Sequence, residues 1–300
     1  DFEGTTEWTS WDATDLDPSW HRSETGAYDG HSWWVGDETL GGYDNTWYQA
    51  LDTPPIDLTQ ASGNLTLTFQ LSYAVEGPGG AEPPYNGWDG CNVRISVDGG
   101  ETFDVLMPTS PAYDVTSLYS FGFVHGEGAN IPGWAGTNGG WEEASFDLSD
   151  YADESNVVIR FAFASDGAYC TTDDPSLFAM RVDDINVADI YTNDASEDGD
   201  MVPQWLVPLG GDLWHIAEDA TAPSPTHVLK LANAQETYNP NMENYYISES
   251  VELPADSYIF CDFLVKGAVT DNDNFPDVDY WRLEVSPDDG ETWNAISNPT

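Results

Sequence analysis

Residues 91–103 read CNVRISVDGGETF, and this stretch carries the two signals of a β-hairpin. Apolar and polar residues alternate along CNVRISV, which is typical of a strand with one buried face. The DGG that follows supplies Asp and Gly, which adopt the positive φ of a tight hairpin turn at low cost. The stretch therefore predicts a strand, a tight turn and a returning strand.

Further strands are predicted on both sides of this hairpin, because the same alternating or continuous apolar pattern recurs with β-branched and aromatic residues. These stretches are LTLTFQLSYA (65–74), VVIRFAFAS (157–165) and MRVDDINVA (180–188). Gly- and Pro-rich segments such as 76–87 and 125–140 separate them and cannot continue a strand or a helix. Many strands without a βαβ alternation predict an all-β sandwich.

The hairpin sequence occurs a second time, as YWRLEVSPDDGETW at residues 280–293. Sliding the chain by about 194 positions also brings Trp11 onto Trp205, which predicts two copies of one domain. The copies span residues 1–190 and 191–300, and the second stops about eighty residues short of the first. We expect either that the natural chain continues or that another chain supplies the missing strands.

The charge is extreme, with 54 acidic residues against 7 basic ones and a net charge of −47. A field of that sign repels nucleic acid and anionic membranes, so neither is expected as a partner. No apolar run is long enough to predict insertion into a membrane. Two interpretations of the acidity stay open: a solvated surface suited to saline surroundings, and carboxylates that converge on metal ions.

Three cysteines are too few for a disulfide scaffold, but two of them could pair. Cys91 begins a predicted strand and Cys170 lies in a polar loop, so a bridge would form if strand and loop are neighbours. Cys261 occupies an alternating apolar position and is expected in a core. Asn64 begins the sequon Asn-Leu-Thr and is a candidate glycosylation site. The acidic composition and this sequon favour an extracellular or cell-surface location.

Several phrases, in their order along the chain, resemble the bacterial MAM-like modules appended to secreted proteins such as immune-inhibitor-A-type metallopeptidases. The phrases are DFEG (1–4), ISVDGGETF (95–103), FDLSDYA (146–152), IRFAFASD (159–166) and RVDDINV (181–187). The resemblance covers the first copy and the first part of the second, and it implies an antiparallel jelly-roll β-sandwich. The cysteine pattern of vertebrate MAM domains is absent.

The resemblance also implies a calcium site between the chain start and the last strand. Carried over residue by residue, it indicates Glu3, matched in the second copy by Glu197, together with Asp183 and Asp184. Calcium takes six to eight oxygen ligands, so loops must add more, and Asp37 and Asp89 are the candidates. The competing interpretation of Asp183 and Asp184 is a solvent-facing pair on an edge strand.

No HExxH, CxxC or GxSxG motif occurs, so the chain is not expected to be an enzyme. The first hypothesis is a calcium-stabilised structural or adhesion module of a larger secreted or surface protein, with other copies of itself or surface polymers as partners. The second is a carbohydrate-binding module that uses loop tryptophans, with Trp33, Trp34, Trp88 and Trp134 as candidates. The third is an accessory part of a secreted peptidase.

Overall fold

The structure is a computed structural model that describes residues 8–12, 20–206, 213–223, 226–232, 237–238, 242–254, 262–267 and 281–296. The described strands are β1 (Thr9–Asp12), β2 (Trp20–Ser23), β3 (Ser32–Val35), β4 (Tyr48–Asp52), β5 (Thr66–Ala74), β6 (Gly90–Ser96), β7 (Asp104–Val105), β8 (Glu142–Asp147), β9 (Val158–Ala164), β10 (Ala179–Val187), β11 (Tyr191–Asn193), β12 (Val202–Trp205), β13 (Trp214–Glu218), β14 (His227–Leu231), β15 (Asn244–Ile247), β16 (Glu284–Val285) and β17 (Asn294–Ala295).

Helical structure in the described residues is limited to three short turns. Two are 3₁₀ turns, at Leu58–Gln60 and Ser149–Tyr151, and one is a π-helical turn at Ser120–Val124. Asp57 caps the first of them by accepting a hydrogen bond from the backbone N–H of Thr59. No helix in the described part of the chain is long and apolar enough to cross a membrane.

The chain divides into two compact units, one of residues 14–209, called here the sandwich unit, and one of residues 1–13 with 210–300. In the sandwich unit, a six-stranded sheet has the order β2-β3-β10-β5-β8 with β11 beside β10, and a five-stranded sheet has the order β12-β4-β9-β6-β7. All pairs between these strands are antiparallel. The chain crosses from one sheet to the other at each step from β3 to β4, from β4 to β5 and from β5 to β6. Its path is therefore that of a jelly roll.

Aromatic side chains fill the space between the two sheets. Phe69 of β5 contacts Phe161 of β9 edge to face, with ring centroids 5.0 Å apart, and stacks on Phe146 of β8 at 6.0 Å. The fully buried Trp134 packs against Phe146 with its ring centroid 6.1 Å away. The prediction of an all-β antiparallel sandwich is therefore confirmed.

The β6–β7 hairpin forms as its sequence predicts. Gly99 and Gly100 adopt φ values of 78° and 97°, which a residue with a Cβ rarely adopts. Asp98 accepts hydrogen bonds from the backbone N–H of Thr102 at 2.9 Å and from the Thr102 hydroxyl at 2.6 Å. The Ser96 hydroxyl also donates to Asp98 and accepts from the Gly100 N–H, so side chains stabilise the turn.

The β16–β17 hairpin repeats these turn contacts. Asp288 accepts from the backbone N–H of Thr292 at 2.8 Å and from the Thr292 hydroxyl at 2.5 Å. The Ser286 hydroxyl again donates to the aspartate and accepts from the N–H of a glycine, Gly290. The duplicated phrase therefore forms the same local structure at both places.

The sandwich unit extends beyond the predicted boundary at residues 190 and 191. β12 pairs with β4, with Val202 opposite Asp52 and Trp205 opposite Gln49, so β12 belongs to this unit. In the second unit, β1 pairs in the same antiparallel sense with β15. An alignment of repeats shows which residues correspond, but it does not show which sheet edge a strand joins.

Candidate metal centre

Three carboxylates meet at one end of the sandwich unit, and we call them the acidic triad: Glu76, Asp89 and Asp166. Asp89 directly precedes β6 and Asp166 comes two residues after β9, where Gly90 and Ala164 lie opposite each other in the five-stranded sheet. Glu76 comes two residues after β5 of the six-stranded sheet. The triad therefore joins the ends of both sheets.

The geometry of the triad is tight, and it is organised around Asp89, which is fully buried. One carboxylate oxygen from each residue lies within 4.8 Å of the other two. Asp89 Oδ1 accepts a hydrogen bond from the backbone N–H of Asp166 at 2.6 Å, and Oδ2 accepts from the hydroxyl of Tyr43 at 2.8 Å. The same Tyr43 oxygen accepts from the backbone N–H of Glu76 at 3.0 Å, so it positions two of the three residues.

Burial raises the pKa of each triad member, and repulsion by neighbouring carboxylates raises the pKa of Asp89 and Glu76 further. Burial is the largest cause of the raised pKa of Asp89, and the charge of Asp166 adds to it. Burial and the charges of Asp166 and Asp173 raise the pKa of Glu76 to about 8. Burial raises the pKa of Asp166 as well. At neutral pH the protein must therefore keep protons on the triad or neutralise it with a cation.

No basic side chain of the described sandwich unit neutralises this charge. The unit contains four arginines and no lysine, and three of the arginines pair with other carboxylates. The pairs are Arg22–Asp198 at 2.7 Å, Arg94–Glu127 at 3.0 Å and Arg160–Asp52 at 2.8 Å. The fourth, Arg181, stacks on the rings of Trp34 and Phe178. The triad thus offers only oxygen ligands and negative charge, which is the donor set that hard divalent cations prefer.

Among the predicted calcium ligands, Asp89 is the one that belongs to the triad. Asp183 is buried at a β-bulge in β10, where its carboxylate accepts from the Ser32 hydroxyl at 2.8 Å and from the Asp184 N–H at 2.7 Å. Asp184 is exposed, with φ of 46°. Asp37 is exposed and caps a turn by accepting from two backbone N–H groups.

Of the two acidic residues predicted for the start of each copy, Glu197 is exposed and is not part of the triad. Glu3 lies outside the described residues. Sequence reasoning missed Glu76 and Asp166. A signal for them exists, since Glu76 lies two residues after one predicted strand and Asp166 directly follows another, but it becomes useful only when the pairing of the strands is known.

The structure contradicts most of the predicted glycan-binding tryptophans. Trp33, Trp34 and Trp134 are 3%, 0% and 0% exposed, so their ring faces cannot contact a sugar. Trp33 and Trp34 are adjacent in β3 and point to opposite faces, and both faces are covered. Trp88 is half-buried and packs edge to face on Tyr119, with the ring centroids 5.3 Å apart.

The predicted bridge between Cys91 and Cys170 is not formed in the structure. Both are buried free thiols. The sulfur of Cys170 instead lies 3.3 Å from a carboxylate oxygen of Asp44 and 3.1 Å from the hydroxyl of Thr172. Asn64 is exposed just before β5, where a glycan would have room, while Cys261 lies outside the described residues.

No protein-family model matches the sequence, and no curated protein matches it either. The resemblance to MAM-like modules therefore stays a prediction.

Proposed function

We propose that the protein is a non-catalytic structural or adhesion module of a secreted or cell-surface protein, stabilised by calcium bound at the acidic triad. The observation that carries this proposal is the convergence of Glu76, Asp89 and Asp166 without a basic partner in the described sandwich unit. A cation would remove the repulsion among three carboxylates at the place where the ends of two sheets meet.

Calcium suits the triad better than the other common divalent cations. Zinc favours His and Cys ligands, and neither residue type belongs to the triad. Magnesium demands a regular octahedron and keeps several of its waters, whereas calcium accepts irregular sets of carboxylate, carbonyl and water oxygens. Three carboxylates leave ligand positions for backbone carbonyls or water. Extracellular modules bind calcium with dissociation constants of about 0.1–1 mM, which fits the predicted location.

The role that follows is mechanical. Glu76 continues from the six-stranded sheet, while Asp89 and Asp166 adjoin paired strands of the five-stranded sheet. A shared cation would tie these chain segments together and resist separation of the sheets at this end. Such a module would be most stable where divalent ions are plentiful, as expected for a component of an extracellular surface.

The direct test is calorimetric titration of the full chain with calcium at pH 7.5. We expect one calcium site that Asp89→Asn abolishes, because this change removes a buried charge from the triad while keeping the size of the side chain. Asp184→Asn is the matched control, since Asp184 is exposed and lies outside the triad. Unchanged calcium affinity in Asp89→Asn, or its loss in Asp184→Asn, would contradict the proposal.

Carbohydrate binding is a second candidate function, favoured by a group of rings that we call the aromatic surface: Tyr85, Trp88, Tyr119 and Phe123. Tyr119 is central, with ring centroids 5.3 Å from Tyr85 and 4.9 Å from Phe123. Phe123 is 63% exposed in the π-helical turn. Exposed rings that are fixed by their neighbours are suited to contact the apolar face of a neutral sugar.

If the aromatic surface binds glycans, Phe123→Ala should lower affinity at least tenfold in a glycan-array screen followed by titration with the best oligosaccharide. The physical reason is the loss of the most exposed ring of the group. Tyr169→Ala is the control, because Tyr169 is also exposed but lies outside the aromatic surface. Equal loss in both variants, or no glycan binding by the parent protein, would count against this function.

A further inference from the structure

In a chain with 54 acidic residues, Arg181 of β10 has no carboxylate partner among the residues that the structure describes. Its Nε is buried and has no hydrogen-bond partner in the described residues, and no ion pair is formed there by Arg181. The charge of Glu38 acts on Arg181, but the hydrogen bonds that Glu38 accepts from Ser23 and Thr25 involve other side chains than the guanidinium. A partly buried and unpaired guanidinium is costly unless a ligand satisfies it.

The position of this guanidinium is fixed by aromatic rings and by the backbone. Its central carbon lies 4.0 Å from the ring centroid of Phe178 and 5.2 Å from that of Trp34. It also packs against Gly26, where an added Cβ would lie 2.5 Å from Nη1. The Gly26 carbonyl accepts a hydrogen bond from Trp141 Nε1 at 3.2 Å, which connects this loop to a further ring. The arginine is thus held in place before any ligand arrives.

Arg181 lines a cavity of about 640 Å³ on the outer face of the six-stranded sheet. Its chain neighbours Met180 and Val182 belong to the core, so the intervening side chain lies on the opposite face. The wall also contains the ring of Trp141 and several polar groups. These are Ser72, Thr137, Asp174 and Ser176. Ligand sites of small molecules typically have volumes of about 300–1,000 Å³ and combine an apolar surface with a few polar groups.

The chemistry of the wall indicates the ligand. A guanidinium pairs best with a planar carboxylate, through two parallel hydrogen bonds. An indole ring offers an apolar face to a sugar ring, and hydroxyl and carboxylate groups can exchange hydrogen bonds with sugar hydroxyls. The net charge of −47 disfavours ligands with many negative charges, so one carboxylate on an otherwise neutral unit is preferred.

We propose that this cavity binds a sugar that carries a carboxylate, a uronic acid, with Arg181 pairing with the carboxylate and Trp141 contacting the ring. The inference rests on the proposed adhesion role, for which it names a ligand class, but it uses no residue of the acidic triad.

The test is ligand-observed NMR titration of the full chain, in calcium-containing buffer, with D-glucuronate and its neutral counterpart D-glucose. We expect glucuronate to bind at least tenfold more tightly than glucose. Arg181→Gln should remove this preference, and Arg181→Lys should retain part of it, since lysine keeps the charge but not the paired hydrogen bonds. Equal affinity for the two sugars, or an unchanged preference in Arg181→Gln, would overturn the proposal.

Two further measurements keep the result interpretable. If Arg181→Gln fails to fold, Trp141→Ala replaces it and should weaken glucuronate binding at least fivefold, whereas an unchanged affinity overturns the proposal. Acetate is the second probe: if it binds as tightly as glucuronate, the cavity is a simple anion site and the assignment to sugars is wrong. Calcium titration of the same variants separates the two sites, because Arg181→Gln should leave calcium affinity unchanged.

Discussion

Calcium at about 10 mM is expected to raise the melting temperature of the full chain by about 5–10 °C at pH 7.5, relative to protein in excess chelator. With a dissociation constant of about 0.1 mM, this concentration is about a hundred times the constant and adds about 2.7 kcal/mol to the free energy of unfolding. For a domain of this size, each kcal/mol shifts the melting temperature by about 2–4 °C. Differential scanning calorimetry with and without calcium measures the shift.

The calcium effect should also depend on pH in a defined direction. Without metal, the triad binds protons more tightly in the folded than in the unfolded state, because its pKa values are raised. The pKa of an unfolded carboxyl is about 4, and that of Glu76 in the folded protein is about 8. The stability that these protons provide is therefore fully present below about pH 4 and is lost as the pH rises towards about 8. Calcium replaces the protons, so its stabilising effect should grow between pH 5 and pH 8.

The control for both measurements is Asp89→Asn, which should abolish the calcium shift and reduce the fall in metal-free stability with rising pH. Burial lowers the pKa of His125, so this residue makes the folded protein more stable as the pH rises, opposite to the triad. The variant and the parent protein must therefore be compared at each pH. Asp184→Asn should behave like the parent protein. A calcium shift of equal size in Asp89→Asn would place the calcium outside the triad.

The sequence predicted those parts of the fold whose signals are local. The alternation of CNVRISV and the positive φ of Gly99 and Gly100 are properties of neighbouring residues, and the β6–β7 hairpin forms as expected. The prediction that Trp33 and Trp34 contact a glycan was wrong for a reason that alternation cannot reveal. Trp33 and Trp34 lie on opposite faces of β3, and only the tertiary structure shows that both faces are covered.

The acidic triad could be predicted only in part, because its members are distant in sequence. Asp89 was among the candidates, but its partners Glu76 and Asp166 come close only through the pairing of β6 with β9 and the packing of two sheets. With 54 acidic residues, the chain offers too many alternative pairs for composition to select these three. The end of the first domain was misplaced for a similar reason, since the pairing of β12 with β4 is a contact between segments that are distant in sequence.

Arg94→Met is expected to lower the free energy of unfolding by about 3–5 kcal/mol, because it leaves the carboxylate of Glu127 without its charged partner in a mostly buried place. Nη1 and Nη2 of Arg94 each donate to Glu127 at 3.0 Å, and the exposed fractions of the two side chains are 7% and 22%. The guanidinium also lies 4.8 Å from the ring centroid of Phe121. Urea denaturation in calcium-containing buffer measures the change.

Two comparisons decide whether the loss comes from the unpaired charge. The double variant Arg94→Met with Glu127→Met should recover much of the stability, because replacing both members of a buried pair by apolar residues leaves no charge unsatisfied. Asp198→Asn removes the carboxylate of the exposed Arg22–Asp198 pair and should cost less than about 1 kcal/mol. Two outcomes would contradict this account: a loss of stability in Arg94→Met no larger than that in Asp198→Asn, or a double variant less stable than Arg94→Met. In either case the Arg94–Glu127 pair would not hold the loop of Glu127 against the five-stranded sheet in the way its geometry indicates.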